Sequence, residues 1–281
     1  MAAMITHPLP APRAKHMPLQ PPIALLAGPG VSSLEARRLA QRLQLPLVEE
    51  SRGYELILCL QQQRLELLWF QPQQRQPARF WVDFIDGKTG YRSRQPGKEL
   101  LIRAIKIRGK LPTTLVDGTG GLGRDCFLCA AAGCRVQVYE KNPVIAALLA
   151  DGLRRAAEQQ PTAAIAARIR LHEEDAVEQL PLQPSPEVIY LDPMFPRRSK
   201  SAKVKQELRL LQLLEPTAAE DGADRAEIAL FRAAWQAGPA KIVVKRPLKA
   251  ESLARLAPAY TVCGKAVRFD VYQPCSAAHA P

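Results

Sequence analysis

The sequence contains little of what membrane-spanning, secreted or disulfide-bonded proteins require. No apolar run approaches the roughly 18 residues that a bilayer-spanning helix needs. Residues 1–22 are rich in proline and lack the apolar stretch of a secretory signal. The six cysteines are too few and too scattered among 281 residues to form a disulfide framework. We therefore predict a cytoplasmic protein whose first 22 residues form a flexible tail.

The chemistry of hydrolases and metal enzymes is not indicated either. Cys126 and Cys129 form a Cys-x-x-Cys pair, but no second cysteine pair or histidine pair completes a zinc site. Because the pair lies in an apolar helical pattern, we interpret both as buried core residues and predict no bound metal. His172 is the only histidine near the end of a predicted strand, which argues against a Ser-His-Asp triad.

The charge of the chain is strongly unbalanced. Its 39 Lys and Arg residues outnumber 27 Asp and Glu residues, which gives a net charge of +12. Such a surface attracts polyanions and raises their local concentration. A nucleic-acid partner is therefore favoured, although a basic surface can also serve solubility alone.

Patterning divides the chain into the tail over 1–22, a small α+β domain over 23–84 and a larger domain over 85–281. In the small domain, strands are predicted for IALLAG, YELILCL and RLELLWF. A helix is predicted for SSLEARRLAQRLQ, with Ser32 or Ser33 as its N-cap. The polar segment QPQQRQPAR is predicted to be a connection.

The larger domain alternates short apolar runs with helical patterns. Strands are predicted for TTLVDG, RVQVYE, RIRLHEED, EVIYLDP, KIVVKRP and VRFDVYQ, and helices notably for Pro143–Gln160 and Ala202–Leu214. This alternation predicts a Rossmann-like α/β fold, with a mostly parallel twisted sheet covered by helices on both faces. Ligands bind such sheets at the carboxyl ends of the strands, so the chemistry should lie where each strand ends.

The first strand of this domain ends in a glycine-rich turn. Asp117 closes the strand, and the glycines that follow are Gly118, Gly120, Gly121 and Gly123. A helix from about Arg124 would then point its amino end at a ligand. The spacing Asp-x-x-x-Gly-x-Gly is typical of methyltransferases and fits the dehydrogenase pattern Gly-x-Gly-x-x-Gly poorly. A tight turn without a ligand is the alternative.

Acidic residues close the next two strands. Glu140 follows the glycines by about 20 residues, the place where a carboxylate accepts hydrogen bonds from ribose hydroxyls. The third strand runs into Glu173, Glu174 and Asp175. These carboxylates either bind the amino group of an adenine or cap the following helix, and the sequence leaves both open.

The fourth strand ends in Asp192-Pro193-Met194-Phe195-Pro196, close to the Asp-Pro-Pro-Phe type of motif in amino-methyltransferases. A carboxylate and a proline-fixed carbonyl can accept the two N–H bonds of a base amine and localise its lone pair. Phe195 would stack on the base. We therefore predict Asp192, Pro193 and Phe195 as catalytic residues, although Met194 replaces the second proline. A strand-to-loop turn with a buried Phe195 is the alternative.

Basic residues follow the motif and close the fifth strand. We predict that they contact RNA phosphates: Arg197, Arg198, Lys200, Lys203 and Lys205 after the motif, with Arg209 close behind, and Lys245 and Arg246 at the end of the fifth strand. A solvated charged face is the alternative.

A resemblance to the ribosomal RNA small subunit methyltransferase J family rests on four motifs, DGTGGLGRD, YEKNPVIAALLADGL, VIYLDPMFPRRSKSAKVKQELR and IVVKRP. It covers about residues 85–273. That family methylates N2 of the guanine at position 1516 of 16S rRNA. The resemblance implies a class I methyltransferase fold, S-adenosylmethionine as methyl donor, and 16S rRNA or the 30S subunit as partner.

The resemblance also implies cofactor contacts. With Asp117, Gly118, Gly120 and Gly123 of the first turn, the predicted cofactor-binding residues are Arg124, Asp125, Glu140, Lys141, Glu174, Asp175 and Asp192. The family usually reads D-A-T-A-G-L-G-R-D, with Ala where Gly118 and Gly120 stand, and has small hydroxyl residues where Glu174 and Asp175 stand.

Other functions fit parts of the pattern. An amino-methyltransferase of DNA or of a protein glutamine would use the same strand-four motif. A non-catalytic RNA-binding assembly factor would keep the cofactor site as a vestige, and a nicotinamide-dependent oxidoreductase fits least well. We expect the small domain over 23–84 to help dock RNA.

Overall fold

The computed structural model of the protein describes residues 23–71, 74–182, 185–193, 209–214 and 220–274. These residues form a five-stranded and a seven-stranded sheet. None of the helices in these ranges is long and apolar enough to cross a membrane.

The first sheet has the strand order β2-β1-β3-β4-β5. Its elements are β1 (Ile23–Ala27), α1 (Ser33–Leu43), β2 (Leu47–Val48), β3 (Leu56–Leu60), β4 (Leu65–Trp69) and β5 (Ala78–Phe80). β1 pairs in parallel with β2 and β3, whereas β4 pairs antiparallel with β3 and β5. The predicted β1, β3, β4 and α1 are confirmed, with Ser32 at the N-cap position.

Two short strands of this sheet were not predicted. β5 lies at the end of the segment that was predicted to be only a connection, and β2 has two residues. Strands this short carry too few alternating residues to give a period-two pattern.

A helical connection joins the two sheets. It consists of α2 (Gly87–Ser93), a 3-10 turn (Pro96–Lys98) and α3 (Leu100–Ile105), followed by a tight bridge between Ile107 and Lys110. α3 buries four apolar side chains, those of Leu101, Ile102, Ala104 and Ile105. The sequence patterns did not predict these helices.

The second sheet has the strand order β11-β12-β10-β9-β6-β7-β8. Its strands are β6 (Thr114–Asp117), β7 (Arg135–Tyr139), β8 (Ile169–His172), β9 (Val188–Leu191), β10 (Lys241–Pro247), β11 (Tyr260–Cys263) and β12 (Val267–Tyr272). The helices between them are α4 (Arg124–Ala131), α5 (Pro143–Ala157), α6 (Ala163–Ala166), α7 (Ala176–Gln179) and α8 (Glu220–Gln236). β12 is antiparallel to β10 and β11, and the other pairs are parallel.

This topology confirms the predicted Rossmann-like fold and locates its ligand crevice. From the central β6, the chain continues through β7 and β8 on one side and through β9 and β10 on the other. The carboxyl ends of β6 and β9 are therefore neighbours at the point where the strand order reverses, which is where such sheets bind ligands.

Element ends differ slightly from prediction. α5 ends at Ala157 rather than Gln160, and its first turn is capped by Asn142, whose Oδ1 accepts bonds from Val144 N (3.0 Å) and Ile145 N (3.1 Å). Of the helix predicted over Ala202–Leu214, the structure describes residues 209–214, which are helical. The edge strand β11 was not predicted because most of its residues are exposed and give no core pattern.

One apolar core runs through both sheets. It contains Leu58 of β3, Phe84 of the connection and Phe127 of α4, and the rings of Phe84 and Phe127 stack with centroids 4.2 Å apart. Cys126 and Cys129 are fully buried in it, as predicted. Burial raises the pKa of both thiols well above the usual value. The predicted domain boundary at residue 84 thus falls within a shared core, and the division itself stays a prediction.

Phe84→Ala is expected to lower the free energy of unfolding by about 3–5 kcal/mol, because it removes a fully buried aromatic ring. Since the core is shared, both sheets should unfold in one transition. Urea unfolding followed by circular dichroism and by tryptophan fluorescence measures both quantities. Leu182→Ala, at a side chain that is 75% exposed, is the control. Separate transitions, or a loss no larger than that of the control, would contradict the shared core.

Candidate active site

The glycine loop after β6 lies against the end of β7. Gly120 N donates to Tyr139 O at 2.9 Å. A Cβ at Gly120 would lie 2.9 Å from Val138 Cγ2 and 3.0 Å from Tyr139 O, so the loop packs closely against the end of β7. Gly123, with φ 71°, precedes α4 and lets the chain enter that helix in a left-handed conformation.

Glu140 holds the other side of this loop. Its Oε2 accepts a bond from Gly121 N at 2.7 Å, and its Oε1 accepts one from Asn142 N at 2.8 Å. The residue is buried and the carboxylate is therefore fixed in one orientation. A carboxylate held in this way can also accept bonds from the two hydroxyls of a ribose. Lys141, the next residue, is exposed.

Thr119 connects the ends of β6 and β9. Asp117 Oδ1 accepts bonds from Thr119 N (3.0 Å) and Thr119 Oγ1 (3.2 Å). Thr119 Oγ1 in turn accepts a bond from Asp192 N at 2.7 Å. Sequence reasoning missed Thr119, although its place inside the glycine turn, two residues after Asp117, was a usable signal.

Asp117 is completely buried, and burial raises the pKa of its carboxyl group to about 7. The hydrogen bonds from Thr119 lower this pKa, whereas the nearby carboxylates of Asp125 and Asp192 raise it further. Near neutral pH this side chain therefore exists in both protonation states.

Lys245 bridges two carboxylates beside the loop. Its Nζ lies 2.7 Å from Asp125 Oδ2 and 2.7 Å from Asp192 Oδ2. The hydroxyl of Tyr190 also donates to Asp125 Oδ2 at 2.7 Å. The side chains of Lys245, Asp125 and Asp192 are only 18%, 14% and 26% exposed. We call Lys245, Asp125, Asp192 and Tyr190 the ion cluster.

Neighbouring groups of opposite charge keep Asp125 and Lys245 ionised although both are largely buried. Burial acts to raise the pKa of Asp125, but Lys245, Tyr190 and Arg92 together hold it below the usual value. Burial acts to lower the pKa of Lys245, but Asp125 and Asp192 raise it overall. Burial and these carboxylates raise the pKa of Tyr190 well above its usual value, so its hydroxyl stays a donor.

The three acidic residues that follow β8 have different surroundings in the structure. Asp175 caps α7, since its Oδ1 accepts a bond from Val177 N at 2.8 Å. Glu174 is exposed, and Glu173 lies 3.3 Å from Arg42 NH1. The capping interpretation is confirmed for Asp175, and a cofactor contact of Glu174 or Asp175 stays a prediction.

The structure corrects the prediction that Lys245 and Arg246 belong to an RNA-contacting rim. The ammonium of Lys245 is engaged in the ion cluster, and Arg246 is 6% exposed with its Nη1 3.1 Å from Glu227 Oε2. Both belong to β10, which lies between β9 and β12 in the second sheet.

Several predicted residues lie outside the described residues. They are Phe195, with the neighbouring Met194 and Pro196, and the predicted RNA contacts Arg197, Arg198, Lys200, Lys203 and Lys205. Pro193 is described and buried directly after Asp192. Arg124 is exposed at the first position of α4.

The predicted side chains Asp117, Glu140 and Asp192 thus meet at the carboxyl ends of β6, β7 and β9. A glycine loop, an anchored Glu140 and a carboxylate at Asp192 suit an adenosine that carries a positive sulfonium centre. The described residues contain no group of three or more His, Cys, Asp or Glu side chains arranged to hold a metal ion. The glycine loop, the anchored Glu140 and the carboxylate of Asp192 fit S-adenosylmethionine.

The chain is similar to known methyltransferases. A family model described as SAM-dependent methyltransferase matches residues 38–274. Relatives named ribosomal RNA small subunit methyltransferase J, from Thioalkalivibrio sulfidiphilus and Nitrosococcus oceani, are each 42% identical to it. The matches cover 84% and 88% of this chain and 92% and 98% of the relatives. A solved SAM-dependent methyltransferase from Neisseria gonorrhoeae is 32% identical, with a TM-score of 0.70 over 90% of this chain and 97% of that chain.

Asp117→Asn is expected to gain stability relative to the unmodified protein as the pH rises. The folded pKa of Asp117 is about 7 and its ordinary value is 3.8, so the folded state binds more protons between these values. The stability that Asp117 contributes is therefore complete below 3.8 and is lost as the pH rises through 7. Asn cannot ionise and should lack this loss, which is about 2–3 kcal/mol between pH 5 and pH 8.

Urea unfolding of both proteins across this pH range measures the difference. Glu178→Gln, at an exposed carboxylate on α7, is the control and should follow the unmodified protein. A stability difference between Asp117→Asn and the unmodified protein that does not change with pH would contradict the raised pKa.

Proposed function

The chain belongs to the ribosomal RNA small subunit methyltransferase J family, and we propose that it methylates the exocyclic N2 of a guanine in 16S rRNA. The methyl donor is S-adenosylmethionine. By the family resemblance, the guanine is the one at position 1516, presented in rRNA or in the 30S subunit. The observation that carries the proposal is the fixed carboxylate of Asp192 beside the glycine loop, held by Lys245 at 2.7 Å.

The cofactor would be held by groups at the ends of β6 and β7. Glu140 would accept the ribose hydroxyls, and the loop from Gly118 to Gly123 would lie against the methionyl part. When bound, the cofactor supplies a methyl group on a sulfonium, which is already activated for transfer and requires neither a metal nor a strong base.

Asp192 would prepare the base amine for attack. The lone pair of an exocyclic amine is delocalised into the base, which makes the amine a poor nucleophile. A carboxylate that accepts an N–H bond localises this lone pair and aims it. As the new C–N bond forms and the S–C bond breaks, the nitrogen becomes positively charged, and it then releases a proton to Asp192 or to water.

Lys245 and Thr119 would orient Asp192 for this step. Lys245 fixes the carboxylate from the side of β10, and Thr119 accepts the bond from its backbone amide. The roles predicted for the Pro193 carbonyl and for Phe195, an N–H acceptor and a stacking ring, complete the proposed base site.

Asp192→Asn is expected to lower the rate of methyl transfer at least about 100-fold, because the amide no longer accepts and orients the amine as a carboxylate does. The fold should survive, since Lys245 keeps its contact with Asp125. The assay is transfer of labelled methyl from S-adenosylmethionine to 30S subunits that lack the modification, followed by nucleoside analysis. The unmodified protein should yield N2-methylguanosine.

Three parallel assays distinguish the alternatives and control the variant. Naked DNA and ribosomal proteins replace the 30S subunit as acceptors, and Glu178→Gln serves as a matched carboxylate variant at an exposed position. Near-normal activity of Asp192→Asn would refute the proposed role of Asp192. Label in DNA or protein but not in RNA would refute the proposed substrate.

A further inference from the structure

The connection between the two sheets is strongly basic. Between Asp86 and Lys110 the chain has eight Lys or Arg residues and two carboxylates. One of these carboxylates, Glu99, is engaged by Arg92 through two hydrogen bonds of 2.9 Å. This segment alone therefore accounts for a large part of the excess positive charge of the chain.

Six of its basic side chains are exposed, those of Arg94, Lys98, Arg103, Lys106, Arg108 and Lys110. None of the six forms an ion pair within the part of the chain that the structure describes. Arg154, an exposed arginine elsewhere on the surface, is by contrast paired with Asp151 and Glu158. The six residues, which we call the basic strip, thus present their charge to solvent and to binding partners.

The helical connection that carries the basic strip runs from the candidate active site to the amino ends of the parallel strands. At one end, Arg92 of α2 lies 3.8 Å from Asp125 of the ion cluster. At the other end, the backbone carbonyls of Ala104 and Lys106 accept bonds from Lys241 Nζ, and Lys241 is the first residue of β10. α2 and α3 therefore extend between the carboxyl and amino ends of the parallel strands.

An open pocket of about 700 Å³ lies where the strip reaches the amino ends of the parallel strands. Its lining includes Arg103, Lys106, Arg108, Lys241, Tyr260 and Gln273. The wall is well fixed, because the buried ammonium of Lys241 also donates to the hydroxyl of Tyr260 at 2.8 Å. Arg108 and Gly109, with φ 48° and 81°, form the tip of the tight turn beside the pocket. Glu187 also lies at the amino ends of the parallel strands, where its carboxylate accepts bonds from Thr113 N and Thr114 N at the start of β6.

An exposed aromatic ring accompanies the strip near the active site. Tyr91 of α2 is 74% exposed. It precedes Arg94, the C-cap residue of α2, by three residues, the spacing at which side chains on a helical turn are neighbours. Aromatic rings beside cations are the arrangement by which proteins hold single-stranded nucleic acid, with a base on the ring and phosphates on the cations.

We propose that α2, α3 and the turn over 107–110 form a second RNA-binding surface of this enzyme. The phosphate backbone would follow the basic strip from the active site to the pocket, and Tyr91 would stack on an unpaired base. The identity of this RNA as 16S rRNA rests on the proposed function, whereas the binding of a phosphate backbone rests on the strip itself.

The test compares two triple variants of the full chain that remove the same charge. Arg103→Gln/Lys106→Gln/Arg108→Gln neutralises the strip, and Arg168→Gln/Arg225→Gln/Arg232→Gln neutralises exposed arginines before β8 and on α8. The probes are a labelled 16S rRNA fragment that contains the substrate hairpin and a single-stranded RNA of equal length. Affinity is measured across a salt series without cofactor.

The strip variant should bind RNA at least about tenfold more weakly at low salt. Its plot of log affinity against log salt should be shallower by about 2, as expected for three lost phosphate contacts. The matched control should stay within about threefold of the unmodified protein. Tyr91→Ala should weaken binding of the single-stranded probe about tenfold. In methyl transfer, the strip variant should show a raised KM for RNA and an unchanged kcat.

Equal losses in the two triple variants would overturn the proposal, since they would reflect net charge alone. Unchanged RNA binding with impaired transfer to 30S subunits would also overturn it and assign the strip to a protein partner. Because binding is measured without methyl transfer, failure of the proposed function leaves this test intact. If the protein bound RNA through the strip but methylated another acceptor, the result would support this RNA-binding surface and contradict the proposed function.

Discussion

The ammonium of Lys245 lies between the carboxylates of Asp125 and Asp192, and this contact connects β10, α4 and the end of β9. Burying three charges is costly, and the cost is offset only when every charge has a close partner. Tyr190 supplies one such partner to Asp125, and Thr119 ties the Asp192 backbone to the glycine loop. The position of the Asp192 carboxylate, which would meet the base, therefore depends on the ion cluster. Through Thr119 the glycine loop is tied to Asp192, and Glu140 holds the other side of that loop.

Environment gives neighbouring carboxyl groups different protonation behaviour. Burial without a cationic partner raises the pKa of Asp117 to about 7, whereas Lys245 and its neighbours hold the pKa of Asp125 below the usual value. Divergent pKa values within a few ångströms are typical of sites that handle protons. Lys245 stabilises the ionised form of Asp125, whereas the buried carboxyl group of Asp117 stays partly protonated near neutral pH.

The sequence predicted which strand ends would carry chemistry, because parallel strands bring their carboxyl ends to one edge. Asp117, Glu140 and Asp192 were found in this way, and the family motifs agreed. Lys245 was predicted to contact RNA because a cation at a strand end is usually exposed. Only the structure shows that its ammonium lies between the carboxylates of Asp125 and Asp192. Thr119 contacts Asp192 and Tyr190 contacts Asp125, and these pairs lie 73 and 65 positions apart in the sequence. Motif spacing does not reveal contacts at such separations. The basic strip was not predicted, because the connection that carries it, with α2 and α3, has no clear helical period.

A double-mutant cycle shows whether Lys245 acts on methyl transfer through Asp192. The rate of methyl transfer to 30S subunits is measured for the unmodified protein, Lys245→Gln, Asp192→Asn and the double variant, with cofactor binding as the check on folding. We expect Lys245→Gln to slow transfer about tenfold or more when Asp192 is present but to have little further effect in Asp192→Asn. Equal slowing in both backgrounds would contradict it, because Lys245 would then act independently of Asp192.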